Sequence, residues 1–342
     1  MTNNKCRPLL LCAVCVCSLL VRAQDRDKDK ESPRAHEVLA AAHQASGLEK
    51  IAPYQLSATV VINPGAPSAK TGRITVYHDK DRSRYELQVE DYREVKLVLG
   101  SKLYLARSLP YPVPGLSQLQ GIDGAWDRSA EDGDAKLSDV SHKKVQHLQA
   151  DCFDVKTEQR HRLCFDPSRK VLLESLDQTK AIEFSDYASL DEQLFPRKIT
   201  VLLELPTEER PVLTVDNIEV KKAHFDAGVF AVPEHSQEFE TCENQQPAKP
   251  VKTPNPEFSS NVRRRSEGAS TVNVYAIVGK DGSLQNVMVL SKDPEVRSTS
   301  LETLKKWQYT PAMCGSTPVA SELETQVRLF DMGGEERRSG RR

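Results

Sequence analysis

Between Leu56 and Arg107 the apolar residues recur at every second position, and the breaks between runs are too short for a crossover. Tyr85, Leu87 and Val89 alternate with polar neighbours, as do Val95, Leu97 and Leu99. The links His78-Asp79-Lys80-Asp81, Glu90-Asp91 and Gly100-Ser101 are hairpin-sized, the last with Gly where a tight turn wants it. A parallel pair needs about a dozen residues or more to cross over, so these strands are antiparallel neighbours and a nucleotide-binding βαβ arrangement is excluded. Strands are predicted at 56–62, 73–77, 84–90, 92–99 and 102–107, and again at 149–156, 162–165, 171–175, 181–187, 197–205 and 214–221. The Pro-, Gly- and Asp-rich stretch 108–139 between the two sets reads as long loops with room for a short helix.

One helix precedes the strands. Ser32 is a candidate cap, Pro33 suits a first turn, and Val38, Ala42, Ala45 and Leu48 recur at helical spacing. From Ser236 to Pro256 periodicity is lost and Pro247, Pro250, Pro254 and Pro256 appear, which predicts an extended linker. Beyond it, segments 271–278 and 284–290 flank an Asp281-Gly282 turn. Asp293-Pro294 then opens a helix presenting Val296, Leu301, Leu304 and Trp307, and a last strand runs over 320–330. The fold class expected is α+β: a curved antiparallel half-barrel with a leading helix (24–235), a Pro-rich linker (236–256), a small α+β domain (257–332) and a disordered tail (333–342).

Residues 1–23 have the three zones of a secretory signal: Lys5 and Arg7, an apolar run of 14 residues from Pro8 to Val21, and Val21-Arg22-Ala23 as a cleavage site. About 20 residues are needed to span a bilayer, so cleavage is favoured over an uncleaved anchor and the mature chain is expected in the periplasm. Cys6, Cys12, Cys15 and Cys17 leave with it. Its removal takes three cations and no anion, moving the formal charge from −2 to −5. That balance argues against nucleic acid, which requires clustered cations; Arg263-Arg264-Arg265 and the Arg-rich tail read as solvated surface.

Cys152, Cys164, Cys242 and Cys314 remain, and four cysteines allow three pairings. A hairpin turning at Thr157-Glu158-Gln159 sets Cys152 opposite Cys164, which leaves Cys242 with Cys314. The rival is a zinc site adding His161, but no fourth ligand is evident and export favours oxidation. No metal or cofactor is expected. The sequence has no Gly-x-Ser-x-Gly elbow, His-Glu-x-x-His helix, phosphate loop or dinucleotide fingerprint. Ser141-x-x-Lys144 and Lys70-Thr71-Gly72 stand in the wrong order for a penicillin-binding enzyme. The eight histidines are scattered, and His142 and His147 are five apart rather than three or four, so catalytic residues are expected to be none.

The C-terminal module resembles the C-terminal domain of TonB, on Glu267-Gly268, Tyr275-Ala276-Ile277-Val278, Lys280-Asp281-Gly282-Ser283-Leu284, Lys306-Trp307-Gln308-Tyr309-Thr310-Pro311-Ala312 and Gly315-x-x-Pro318-Val319. The likeness covers about 255–331. It implies a module that receives an extended peptide by strand addition beside its last strand, with Gly282, Trp307 and Pro311 structural. Pro256 and Phe258 fall on the family's recognition stretch, while Asn255 and Ser259 depart from it. With Glu322, Glu324, Gln326 and Arg328 on the polar face of the last strand, they are the candidate partner-binding residues. TonB proteins that transmit inner-membrane energy keep an N-terminal membrane helix and a long Pro-rich spacer; here the apolar segment is short and a folded domain fills the spacer's place.

The N-terminal part is similar to LolA-like periplasmic lipoprotein carriers in its leading helix ending Ala45-Ser46-Gly47-Leu48, its meander, and the segments Phe195-Pro196-Arg197-Lys198-Ile199 and Phe225-x4-Phe230-x-Val232-Pro233. That likeness implies an apolar inner face for lipid or lipoprotein acyl chains. The expected function is docking of an envelope protein, with an outer-membrane transporter as one candidate. The alternative is a lipid or lipoprotein carrier acting through the N-terminal half-barrel.

Overall fold

The computed structural model describes residues 32–113, 116–119, 121–128, 135–156, 160–177, 180–204, 209–242, 245–265 and 271–329. The signal segment, the tail and the turn at Thr157-Glu158-Gln159 lie outside these. Helix α1 (Pro33–Ser46) precedes five strands, β1 (Tyr54–Ile62), β2 (Lys70–Asp79), β3 (Arg82–Val89), β4 (Tyr92–Leu99) and β5 (Lys102–Arg107). After two 3-10 turns at Leu116–Leu119 and Ile122–Gly124 come β6 (Lys136–Leu137), β7 (Ser141–Val145), β8 (Leu148–Lys156), β9 (Arg160–Phe165) and β10 (Leu172–Leu176). Next are β11 (Lys180–Leu190), β12 (Gln193–Glu204), β13 (Glu209–Lys222) and β14 (Gln237–Glu240). All join one 14-stranded sheet in the order β14-β5-β4-β3-β2-β1-β13-β12-β11-β10-β9-β8-β6, with β7 beside β8. Every pairing is antiparallel, as the short links require.

The leading helix packs on one face of this sheet by a stripe that partly matches the one expected. Ala35, Leu39, Ala42 and Ser46 are buried; of the predicted Val38, Ala42, Ala45 and Leu48, Ala42 and Leu48 are buried and Val38 and Ala45 only partly so. Alanine at 35 and 42 lets the helix axis approach the strands, and the larger Val38 sits at the flank, partly buried. Ser32 makes no side-chain cap; its backbone N–H instead donates to Leu137 O at 3.3 Å. Trp126, fully buried, donates to Ser46 O and pins the loop region to the helix end. Leu116, Leu119 and Ile122 complete the cover over this core.

The inner face of β4 follows from its pairing with β3. Tyr85, Leu87 and Val89 belong to the core, and opposite them stand Lys96, Glu94 and Tyr92. Directly paired residues share a face. The inward residues of β4 are therefore Tyr92, Glu94 and Lys96, while Val95, Leu97 and Leu99 point to the other side. On β5 the inward set is Leu103, Leu105 and Arg107, and on β14 it includes Phe239.

The C-terminal module consists of β15 (Lys249–Lys252), α2 (Ser260–Arg265), β16 (Thr271–Val278), β17 (Leu284–Val289), α3 (Pro294–Leu304), β18 (Gln308–Thr310), β19 (Ala312–Cys314), β20 (Thr317–Val319) and β21 (Ser321–Arg328). Its main sheet runs β17-β16-β21. The Asp293 carboxylate caps α3, accepting from Glu295 N at 2.8 Å and Val296 N. Val296 and Leu304 of α3 and Trp307 beyond its end pack on Val272, Val274 and Val327.

The segment expected to be an extended linker is taken up by both domains. Its first residues form β14 on the large sheet. Its last pair with the C-terminal module: Gln246 exchanges backbone bonds with Met313, and β15 pairs with β18. Pro254 O accepts from Trp307 Nε1 at 2.8 Å. The backbone of 245–256 could not go unpaired against a packed module without cost, and the strand pairing satisfies it. Both disulfides are formed, Cys152–Cys164 between directly opposed residues of β8 and β9, and Cys242–Cys314 across the inter-domain segment.

Gly282 has φ +79°, and an added Cβ would lie 1.9 Å from Tyr309 O, the same strand whose N–H bonds Gly282 O at 3.1 Å. Gly65 has the same φ with nothing within 4 Å. Gly65→Ala should cost about 1–2 kcal/mol, the left-handed penalty alone. Gly282→Ala should cost about 2–4 kcal/mol, because overpacking is added. Native-state amide exchange in β1 and β16 reads the two losses; equal losses would mean that the Tyr309 contact contributes nothing.

Candidate partner-binding site

Strand β21 is built from an alternation that the C-terminal core fixes in register. Val327 is buried against α3 and Leu323 packs on the same cluster, so Glu322, Glu324, Gln326 and Arg328 take the opposite face. Each is paired across to β16, Glu322 to Ile277, Glu324 to Tyr275, Gln326 to Asn273 and Arg328 to Thr271. β21 ends the sheet order, so among the described residues one of its two backbone edges carries no ladder.

The four polar residues have different surroundings. Glu324, Gln326 and Arg328 are exposed, and Gln326 Nε2 donates to Asn273 Oδ1 at 3.0 Å. Glu322 turns toward the large sheet. Its carboxylate takes a two-pronged hydrogen bond from the Arg107 guanidinium, the second prong at 3.0 Å, and accepts from the Tyr275 hydroxyl at 2.7 Å. Arg107 Nε donates to Glu94, which also accepts from Tyr92 OH at 2.8 Å. Lys96 Nζ lies 3.7 Å from Glu94 and 3.8 Å from Glu322. Two carboxylates and two cations thus close a neutral cluster between the domains. It is nearly dry: the side chains of Glu94 and Arg107 are 4% and 5% exposed.

Around it lies an apolar contact, with Leu105 and Phe239 from the large sheet meeting Tyr275 and Ile277 from the small one. Glu94, Lys96 and Arg107 are inward residues of β4 and β5. The C-terminal module therefore covers the same face of the large sheet that α1 covers further along. Charges on that face would be stranded without the module's carboxylate, and a buried unpaired charge is costly.

Burial alone would raise the Glu322 carboxyl, but the bonds and charge of Arg107, then Lys96 and Tyr275, hold it below the ordinary carboxylate range. Burial lowers Lys96, with Glu94 and Glu322 resisting, and it raises the Tyr92 and Tyr275 hydroxyls. Arg107 is disfavoured by burial, yet its bonds to Glu322 and Glu94 keep it firmly protonated.

Pro256 is buried and Phe258 packs on the C-terminal core, so both are set into the module rather than along β21. Gly282 and Trp307 sit where the module closes on itself; Pro311 joins β18 to β19. Arg107, Glu94, Lys96 and Tyr275 were not singled out from sequence. Charges alternating with Val95 and Leu97 read as a solvated face, and only a pairing partner for β4 reverses that reading.

His43, read as a surface histidine, stands between two carboxylates. Its Nδ1 is 2.9 Å from Asp127 and its Nε2 3.6 Å from Glu49. These three groups have the donor types for a divalent ion, with ligand atoms mutually within 4.8 Å. The same contacts tie the end of α1 to the turn at Leu48–Ile51 and to the Trp126 loop.

The geometry is that of an open strand edge beside a cleft between the large sheet and the C-terminal module. Residues 254–329 match the family described as the C-terminal domain of the Gram-negative bacterial TonB protein. A comparison with curated proteins gives no significant match. Solved structures with a similar arrangement include a domain of an outer-membrane lipoprotein-sorting protein from Vibrio parahaemolyticus, at 11% identity and TM-score 0.39, covering 57% of this chain and 95% of that one. A LolA superfamily protein from Nitrosomonas europaea matches at 15% identity and TM-score 0.39, over 58% and 97% of the two chains. A DUF1329 family protein from Desulfovibrio piger matches at 10% identity and TM-score 0.38, over 59% and 98%.

Glu322 has its proton affinity lowered in the docked state, so its contribution is complete above the ordinary carboxylate pKa and is lost as pH falls through the lowered value. Glu322→Gln should loosen the docked module by roughly 1–3 kcal/mol at neutral pH and flatten the acid limb of the profile. Amide exchange in β5 and β14 between about pH 2 and pH 8 measures it, since the acid limb lies below the ordinary carboxylate value; a variant with unchanged protection would show that the apolar contact suffices.

Proposed function

We propose that this chain is an exported, non-catalytic binding protein of the cell envelope that docks a protein partner by strand addition along β21. The observation that carries this reading is the position of β21 at the end of its sheet, with Glu324, Gln326 and Arg328 exposed beside its unpaired edge. An edge strand of this kind offers backbone donors and acceptors to an extended peptide. The family match over 254–329 supports the same mode, and the periplasmic plug or extended peptide of an outer-membrane transporter is the partner class it suggests. Two disulfides are in keeping with an oxidising compartment outside the cytoplasm. Among the described residues no helix is long and apolar enough to cross a membrane.

The carrier alternative puts function on the inner face of the large sheet. That face is covered by α1, Trp126 and the C-terminal module, so an acyl chain bound there has to displace one of them.

Lysines on an exposed edge oppose pairing by another strand. Glu324→Lys combined with Gln326→Lys should reduce recovery of the partner co-purified with the full chain about tenfold, with both disulfides and the thermal transition retained. Unreduced capture would remove β21 from the interface; co-purified lipid retained on the same substitutions would favour the carrier.

A further inference from the structure

The edge of β21 does not face open solvent alone. It forms one wall of a cleft of about 500 Å³ whose opposite wall belongs to the N-terminal domain. The consecutive residues Ala320 to Glu324 line one side, and Phe239 to Thr241 line the other, with Leu103 behind them. Side chains alternate along a strand, so a strand that presents consecutive residues to a cleft presents its edge rather than a face. β14 and β21 are both terminal in their sheets. Two strand ends of separate sheets thus border one slot, closed at the side by Gln245, Pro247 and Ala248.

We propose that this slot is the peptide site, and that the N-terminal domain supplies half of it. The inference rests on the strand-addition reading and adds the composite wall and the chemistry of the occupant. Ala320 to Glu324 spans about 14 Å at the rise of an antiparallel strand, the reach of four to five extended residues. Leu103, Phe239, Ala248 and Ala320 make the slot apolar at its centre. Of the carboxylates at its border, Glu240 is paired with Lys280, and Glu322 with Arg107 and Lys96. The occupant is an extended, apolar segment of a partner protein. The volume lies within the range of about 300–1,000 Å³ typical of ligand sites.

The test uses the full chain in its native envelope, with the photo-cross-linking residue benzoylphenylalanine placed at Ser321 on one wall or at Thr241 on the other. Leu103 serves as a second position on the Thr241 wall, in case that variant folds poorly; formation of both disulfides, read by intact mass, reports folding. The expected result is one partner captured from both walls, with the cross-linked peptides mapping within about five residues of each other, the reach of the slot, in an apolar segment. Capture from Ser321 with none from Thr241 or Leu103 overturns the composite slot and leaves strand addition at β21 standing. Capture from neither wall overturns both readings. A shared but highly charged peptide overturns the assigned chemistry of the occupant. Ala248→Trp, which fills the slot, should lower the Ser321 adduct at least tenfold; an unchanged adduct places the peptide outside the slot.

Discussion

A guanidinium held dry between two carboxylates accounts for most of the architecture around it. Arg107 contacts Glu94 within its own domain and Glu322 in the other. Either carboxylate alone would leave an unbalanced cluster, since Lys96 adds a second cation on the same face. Removing charges from water costs several kcal/mol each, and excellent geometry is needed to recover it. The pronged Arg107–Glu322 bond, the Tyr92 and Tyr275 hydroxyls and the cation–π contact of Arg107 over Tyr275 at 5.8 Å supply that geometry. The bonds fix orientation more than they add stability. They set which face of the three-stranded sheet turns inward and therefore where the edge of β21 ends up.

This arrangement changes what the N-terminal domain can be said to do. An inner sheet face with Glu94, Lys96 and Arg107 on two adjacent strands is poorly suited to hydrocarbon along that stretch, because Glu94 balances only one of the two cations and Glu322 of the C-terminal module balances the other. The same strands complete a cleft for the module. The large sheet then acts as a support that orients the C-terminal module, and the polar cluster gives the docking a unique register.

Much of the fold was legible because it rests on local signals. Period-two alternation and hairpin-length links specified the antiparallel meander, and Asp293-Pro294 marked the start of α3. Opposed positions on neighbouring strands were enough for Cys152 and Cys164. What stayed hidden depended on pairing between distant segments. The inward side of β4 could not be read from its own residues, since Val95, Leu97 and Leu99 look more core-like than Glu94 and Lys96. Helix α1 was placed correctly but turned by about one position, because alanines that permit close approach weigh little in an apolar pattern. The proline-rich stretch looked like a spacer, yet its backbone is satisfied by Met313, β18 and β5. His43 lacked any local sign of Asp127, 84 residues away.

The Cys242–Cys314 bond lies at a junction in the covalent connectivity. β16, β17 and α3 all fall inside the loop it closes, while β14 precedes that loop and β21 follows it. A pull applied along β21 by a bound partner therefore travels through Cys314 and Cys242 to β14 and the large sheet. The intervening 72-residue separation is short-circuited. Opening of β16, β17 and α3 under tension would not lengthen the covalent path from β21 to the large sheet, so the molecule behaves as a clamp on a short, inextensible leash.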